Sequence, residues 1–178
     1  MVLRKKKILM TGPPGVGKTT LIKQLSKRLA PLHPVGFYTE EIREGGVRKG
    51  FELLSLEGTK GVLSHIDFKT PYRVGKYRVD VRGFEVFLKT IPFFNPETHL
   101  IILDEIGKME SLSDAFKKLL KEILDSEKGL IATIALKGRG LIEEVKKRQD
   151  VMLYEISPKN RDSLLSEILK EFETGGSS

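Results

Sequence analysis

No cysteine occurs among the 178 residues, which excludes disulfides, thiolate metal sites and cysteine nucleophiles. No apolar run approaches the roughly 20 residues of a membrane span, and the apolar stretch within Met1 to Met10 is too short for a signal peptide. Internal repeats, low-complexity blocks and linkers are missing as well. Amides are scarce: Gln24, Gln149, Asn95 and Asn160 stand against 21 lysines, a balance that suggests a heat-adapted source. The three histidines, His33, His65 and His99, lie far apart and form no metal-ligand spacing, so they read as structural or surface residues. What is present, 39% hydrophobic and 31% charged residues, is the composition of a soluble globular protein, expected in the cytoplasm. The length fits one domain over residues 1–173, with a flexible tail at 174–178.

The formal net charge is +7, unevenly spread. Residues 1–82 carry 17 basic and 7 acidic side chains, residues 83–178 carry 14 and 17. Nucleic acid is one partner such a balance admits, and aromatic residues among the cations (Phe37, Tyr38, Phe51) point the same way; a solvated basic face and core aromatics account for both as well. The excess is expected mostly on hairpin strands, where it would guard a sheet edge or steer an anionic ligand.

Hydrophobic spacing gives an alternating order. Lys7 to Thr11 is a short apolar strand, followed by a glycine-rich turn and a helix marked by Leu21, Ile22, Leu25 and Leu29. Extended runs follow at Val35–Arg43, Val47–Leu56, Gly61–Ser64 and Tyr77–Val81, joined by turns such as Glu44-Gly45-Gly46. Then come a helix at Phe84–Ile91, a buried strand at His99–Leu103, a helix around Leu112–Leu124, a strand at Gly129–Ala135, a helix at Leu141–Arg148, a strand at Val151–Ile156 and a last helix. The fold class is therefore α/β: a mostly parallel sheet covered on both faces, antiparallel hairpin strands at one edge, and ligands bound at the carboxyl ends of the parallel strands.

Gly12-Pro13-Pro14-Gly15-Val16-Gly17-Lys18-Thr19 fits the phosphate-loop pattern completely, between a strand and a helix as that motif requires. Gly15 and Gly17 let consecutive N–H groups point at phosphate oxygens, and the helix adds the positive end of its dipole. Lys18 reaches the β- and γ-phosphates, the Thr19 hydroxyl is placed to ligate Mg²⁺, and Thr20 extends the loop. The run Leu100 to Leu103 then delivers Asp104 to the end of a buried strand, where a metal ion would offset the cost of its charge. Glu105 follows at once and can take a proton from an attacking water, which leans the chemistry towards hydrolysis.

At this point the chain resembles the small nucleoside-triphosphatases known as cancer-related nucleoside-triphosphatases, a group with thermostable microbial members. The resemblance covers nearly the whole chain. It rests on Gly12 to Thr20, Gly36-Phe37-Tyr38-Thr39-Glu40-Glu41-Ile42-Arg43, Val74-Gly75-Lys76-Tyr77, Asp104-Glu105-Ile106-Gly107-Lys108-Met109-Glu110 and Asn160-Arg161-Asp162. Ser157-Pro158 departs from the threonine-containing turn of that family. The resemblance implies a three-layer P-loop NTPase fold near the RecA and AAA+ ATPases, with Walker A and Walker B motifs. It also implies Mg²⁺-dependent hydrolysis of ATP, GTP and other nucleoside triphosphates to diphosphate and phosphate, with loose base selectivity.

Several residues stay open at this stage. Asn160 and Arg161 either present a guanidinium face to a base or form a helix-capping turn. Arg43, Lys108 or Arg139 could serve as a finger on the γ-phosphate, or lie on the surface. Thr133 could sense the γ-phosphate or be a core threonine, and Glu110 could assist the metal and water or simply enter a helix. Rival activities are a nucleoside or nucleotide kinase, a nucleic-acid-dependent ATPase or binding protein, and a slow regulatory switch. A monomer without membrane attachment is compatible with all of them.

Overall fold

The structure, a computed structural model, describes residues 6–173. The tail expected at 174–178 and the first five residues, part of the basic amino-terminal cluster, lie outside them. Nine strands form one sheet among the described residues: β1 (Lys7–Thr11), β2 (Val35–Glu44), β3 (Val47–Ser55), β4 (Lys60–His65), β5 (Arg73–Val74), β6 (Tyr77–Val79), β7 (Leu100–Ile106), β8 (Gly129–Ile134) and β9 (Val151–Glu155). The helices are α1 (Lys18–Arg28), α2 (Val81–Lys89), α3 (Asp114–Asp125), α4 (Leu141–Lys146) and α5 (Arg161–Glu173). Strand order is β5-β6-β4-β3-β2-β7-β8-β1-β9. The five strands from β2 to β9 in that order pair in parallel, and the hairpin strands extend the β2 edge antiparallel. The mixed sheet has the layout that the patterning predicts.

Strand periodicity builds the three layers. In β7, Ile101 and Leu103 face one apolar core while Leu100 and Ile102 face the other; Leu9 against Ile8 and Met10 does the same in β1. The first core is closed by Phe84 and Phe87 of α2, Phe116, Leu120 and Ile123 of α3, and Ile142 and Val145 of α4. The second is closed by Leu21, Ile22 and Leu25 of α1 with Leu164, Ile168 and Phe172 of α5. Phe37 is fully buried, edge-on to Phe84 and Phe87 at 5.8 Å each, so its aromatic ring belongs to the core. Lys7, buried at the start of β1, donates from Nζ to the carbonyls of Ile123 and Ser126 at 2.9 and 3.0 Å, placing a cation at the C-terminal end of α3.

Departures from the sequence pattern occur at element ends. β6 stops at Val79 rather than Val81, because Asp80 turns to cap α2, accepting from Gly83 N at 2.9 Å. The two-residue strand β5, unmarked in the sequence, pairs with β6 across Gly75 and Lys76. β7 runs on to Ile106, so Asp104 and Glu105 lie inside a strand and not at its end. The cation excess is also elsewhere: residues 1–34 hold eight basic and no acidic side chains, whereas residues 35–82 hold nine and seven. The hairpins are close to neutral, with Arg43 and Arg48 both paired to Glu41. Among the described residues no helix is long and apolar enough to cross a membrane.

Gly36 shows how tightly β2 lies on β7. Its φ is +140°, and a Cβ there would sit 1.8 Å from the carbonyl oxygen of Ile102. Gly36→Ala must push β2 off the strand that carries Asp104. We expect a loss of about 3 kcal/mol or more in denaturant unfolding, and an unchanged midpoint would contradict this close approach.

Candidate active site

The loop from Gly12 to Gly17 joins the carboxyl end of β1 to α1. Val16 is buried in the second core and anchors it from below, while Pro13, Pro14 and Gly15 are exposed. Gly17 is the N-cap of α1 with φ +104°, a left-handed conformation that removes any side-chain cap. Asp80 and Ser113 cap α2 and α3 with side-chain oxygens; α1 has neither such a cap nor an acidic residue in its first turn. Its leading N–H groups and the positive end of its dipole therefore face outwards without a protein acceptor, the arrangement that binds a phosphate. Lys18 donates from Nζ to Gly12 O at 3.0 Å and stands 3.5 Å from Glu105 Oε2. Thr20, one turn position further, is exposed.

Asp104 gathers three elements. Pairing between β7 and β8 is regular to Leu103↔Ala132 and resumes at Ile106↔Ile134, leaving a bulge at Asp104 and Glu105 that re-aims both side chains. Asp104 is only 3% exposed; Thr19 donates its hydroxyl to Oδ2 at 2.8 Å, and Thr133 to Oδ1 at 2.5 Å. Burial pushes the Asp104 carboxyl above the usual range, the two hydroxyls oppose that shift, and the neighbouring Glu105 charge adds to it. The Lys18 charge favours the carboxylate, but less than burial opposes it. A hydroxyl beside a buried carboxylate is a hard-oxygen donor pair that fits Mg²⁺, which keeps several waters and takes further ligands from phosphates. Such a site needs no cluster of three acidic or imidazole ligands, and none occurs among the described residues.

A third carboxylate completes the acidic side. A Cβ at Gly107 would lie 2.7 Å from Glu105 Oε1 and 2.9 Å from Glu110 Oε2, so the two carboxyl groups flank that glycine. Glu110 is 4% exposed. Burial first, and then the charge of Glu105, raises its pKa well above the usual carboxylate value.

Other candidates separate clearly. Arg161 lies against the loop: a Cβ at Gly17 would be 3.0 Å from Arg161 Cδ and 3.1 Å from Nη1. Asn160 engages its own chain with both ends of its side chain. Its Oδ1 accepts from Ser157 N and its Nδ2 donates to Glu155 O, both at 2.8 Å, so the amide closes the turn before α5. The hydroxyl of Thr133 is spent on Asp104 and not on a phosphate. Arg43 is held at the β2–β3 hairpin tip by Glu41 and the Gly46 carbonyl. Lys108 and Arg139 are exposed on the loops after β7 and β8. The histidines lie outside the site: His65 accepts from Asp67 N, His33 ends a short turn, and His99 is exposed.

Sequence reasoning passed over two features here. Lys23 of α1 pairs with Glu40 of β2 and stands 4.7 Å over the Tyr38 ring, closing the flank of the loop helix. Lys146, at the end of α4, donates to Leu136 O at 2.8 Å just beyond β8. Neither shows in a motif, because each depends on which strands lie side by side.

A glycine loop on an uncapped helix, with a hydroxyl-bound aspartate and a following glutamate at the bulge of a neighbouring parallel strand, defines a phosphate-loop nucleotide-binding protein. Comparison with known proteins narrows that class. The family profile described as NTPase matches residues 7–169. The nucleoside-triphosphatase THEP1 of Thermotoga maritima is 50% identical over 164 residues, 92% of this chain and 93% of the relative. The human cancer-related nucleoside-triphosphatase is 40% identical over 178 residues, covering 91% and 94%. In three dimensions the crystal structure of THEP1 from the hyperthermophile Aquifex aeolicus superimposes with a TM-score of 0.82 at 36% identity, over 94% of this chain and 99% of that one. The solution structure of a human cancer-related nucleoside triphosphatase gives the same score and identity over 97% and 100%. The chain belongs to the NTPase family, and its fold is that of the P-loop NTPases.

The elevated Glu110 pKa has a measurable consequence. In the unfolded chain the group titrates near 4.5, and in the fold it keeps its proton to higher pH. Its contribution to stability is thus complete below the unfolded value and is lost as pH rises through the folded one. Glu110→Gln should remove that loss. In denaturant titrations from about pH 4 to about pH 9, the variant should gain on the parent as pH rises; a constant difference would mean that Glu110 is ionised in the fold.

Proposed function

We propose that residues 1–173 act as one cytoplasmic domain that hydrolyses nucleoside triphosphates to diphosphate and phosphate with Mg²⁺ and little choice among bases. The observation that carries this reading is the uncapped N-terminus of α1, facing Lys18, Asp104 and Glu105. The N–H groups of Gly15, Gly17, Lys18 and Thr19 and the Lys18 ammonium hold the β- and γ-phosphates, orienting the terminal phosphorus towards the β7 bulge. Thr19 and Asp104 would hold Mg²⁺, which when bound supplies positive charge to the phosphate oxygens.

Glu105 serves as the base. Its carboxylate accepts a proton from water as the water oxygen bonds to the γ-phosphorus. The bond from that phosphorus to the β–γ bridging oxygen breaks, and the diphosphate leaves with the electron pair. Glu105 sits 3.5 Å from Lys18, the cation expected to hold the terminal phosphate, which favours that role. Thr133 positions Asp104 through its short hydrogen bond. Arg161, against Gly17 and half exposed, offers a flat cation on which any base can stack, in keeping with broad base use.

Phosphate release should occur with ATP, GTP, CTP and UTP without any acceptor, at rates within about tenfold of one another, and should stop when Mg²⁺ is chelated. Formation of a phosphorylated nucleoside instead, or dependence on added DNA or RNA, would replace this reading. Lys18→Ala should lower kcat/KM by about a thousandfold or more. Glu105→Gln should retain nucleotide affinity while kcat falls by about 10²-fold to 10⁴-fold, and unchanged turnover would move the base elsewhere.

A further inference from the structure

Glu110 stands on the acidic side of the site, yet no step of the hydrolysis uses it. It opens a short turn, Glu110–Leu112, between β7 and α3. The chain is fixed on both sides of it. Gly107 O accepts from Ser111 N at 3.0 Å and from the Ser111 hydroxyl at 2.6 Å, and Ser113 N donates to Glu110 O at 3.1 Å. Ser113 in turn caps α3 and donates its hydroxyl to Glu85 of α2 at 2.8 Å. Glu110 is thereby held, buried, at one place beside the β7 bulge.

What it meets there is Glu105. The space that Gly107 leaves by lacking a Cβ has a centre 2.7 Å from Glu105 Oε1, 3.1 Å from Glu105 Cγ and 2.9 Å from Glu110 Oε2. The two carboxyl oxygens are therefore within reach of one another, directly or through one bridging water. The other oxygen of Glu105, Oε2, lies on the Lys18 side at 3.5 Å. No cation stands within ion-pair distance of Glu110 among the described residues. A buried carboxyl with a second carboxylate beside it and no cation keeps its proton, and the upward direction of its pKa agrees. An ionised glutamate only accepts hydrogen bonds; a neutral one has an O–H to give.

We propose that Glu110 is a positioning residue for Glu105: its carboxylic acid O–H is given to Glu105 Oε1 across Gly107, which leaves Oε2 to take the proton of the attacking water. The inference deepens the hydrolase reading and rests on Glu105 as its base. Without that bond the Glu105 side chain turns about its own torsions, and a base misplaced by about 1 Å loses much of its rate. Gly107 belongs to the same device, because any side chain there would enter the space in which the two carboxyl groups meet.

The test sets kcat of the full-length chain, with saturating Mg²⁺ and ATP, beside calorimetric affinity for the non-hydrolysable β,γ-imido analogue. Glu110→Leu fills the same buried space without a donor. It should lower kcat about tenfold or more, leave the imido affinity within about twofold, and keep Tm at or above that of the parent. Glu110→Gln keeps an N–H donor and should hold kcat within about threefold of the parent, whereas Gly107→Ala should lower kcat as Glu110→Leu does. Placed in Glu105→Gln, Glu110→Leu should cost less than about twofold more, because it acts through Glu105. Unchanged kcat in Glu110→Leu, an equal loss in Glu110→Gln, nucleotide affinity falling in step with kcat, or full additivity with Glu105→Gln would each overturn the assignment. If Glu110→Leu fails to fold, Gly107→Ala, alone and in Glu105→Gln, carries the same comparison. Absence of phosphate release from the parent chain would strike the hydrolase reading itself, and this assignment with it.

Discussion

Asp104 is buried at the meeting point of three elements, with the Thr19 hydroxyl of α1 on one oxygen and the Thr133 hydroxyl of β8 on the other. A carboxylate in such a place is tolerated only because both oxygens are hydrogen-bonded and a cation can come within reach. The phosphate-loop helix, the bulged strand and the neighbouring strand are registered to one another through that side chain. Close packing of β2 on β7 at Gly36, and the apolar layers on either face of β7, keep the carboxylate from retreating into water.

Charge is arranged around this point against the preference of the fold. Glu105 and Glu110 flank Gly107, Asp104 is buried beside them, and the first turn of α1 has no acidic residue to complement its dipole. Each of these would be relieved by a substitution that ordinary stability would favour. They are sustained by two apolar cores and by well-capped helices elsewhere, such as α3 with Ser113 at its start and Lys7 on its last carbonyls. A polyanion with a divalent cation supplies what both sides lack.

Much of this was legible in the chain. Unbroken apolar runs at Leu100 to Leu103 and Ile8 to Met10 announce a sheet covered on both faces, and Gly12 to Thr19 between strand and helix announces the loop, because these signals are local. Where reading failed, the missing information was long-range. Asp104 looked like the end of a strand, since a bulge depends on the register with β8. For Asn160 both a base contact and a capping turn were open, and the bonds to the Glu155 carbonyl and the Ser157 amide show the turn. The cation excess was assigned to the hairpins, although residues 1–34 alone hold eight basic side chains and no acidic one.

The missing cysteines, the apolar periodicity and the glycine loop are properties of neighbouring residues, so the sequence by itself determined the α/β class, the phosphate-binding turn and the order of the motifs. Which side chains meet across the sheet is set by strand order and register, quantities that no short window of sequence contains. Only the tertiary structure therefore decided that Thr133 holds Asp104, that Glu110 stands against Glu105, and that Arg161 lies on Gly17.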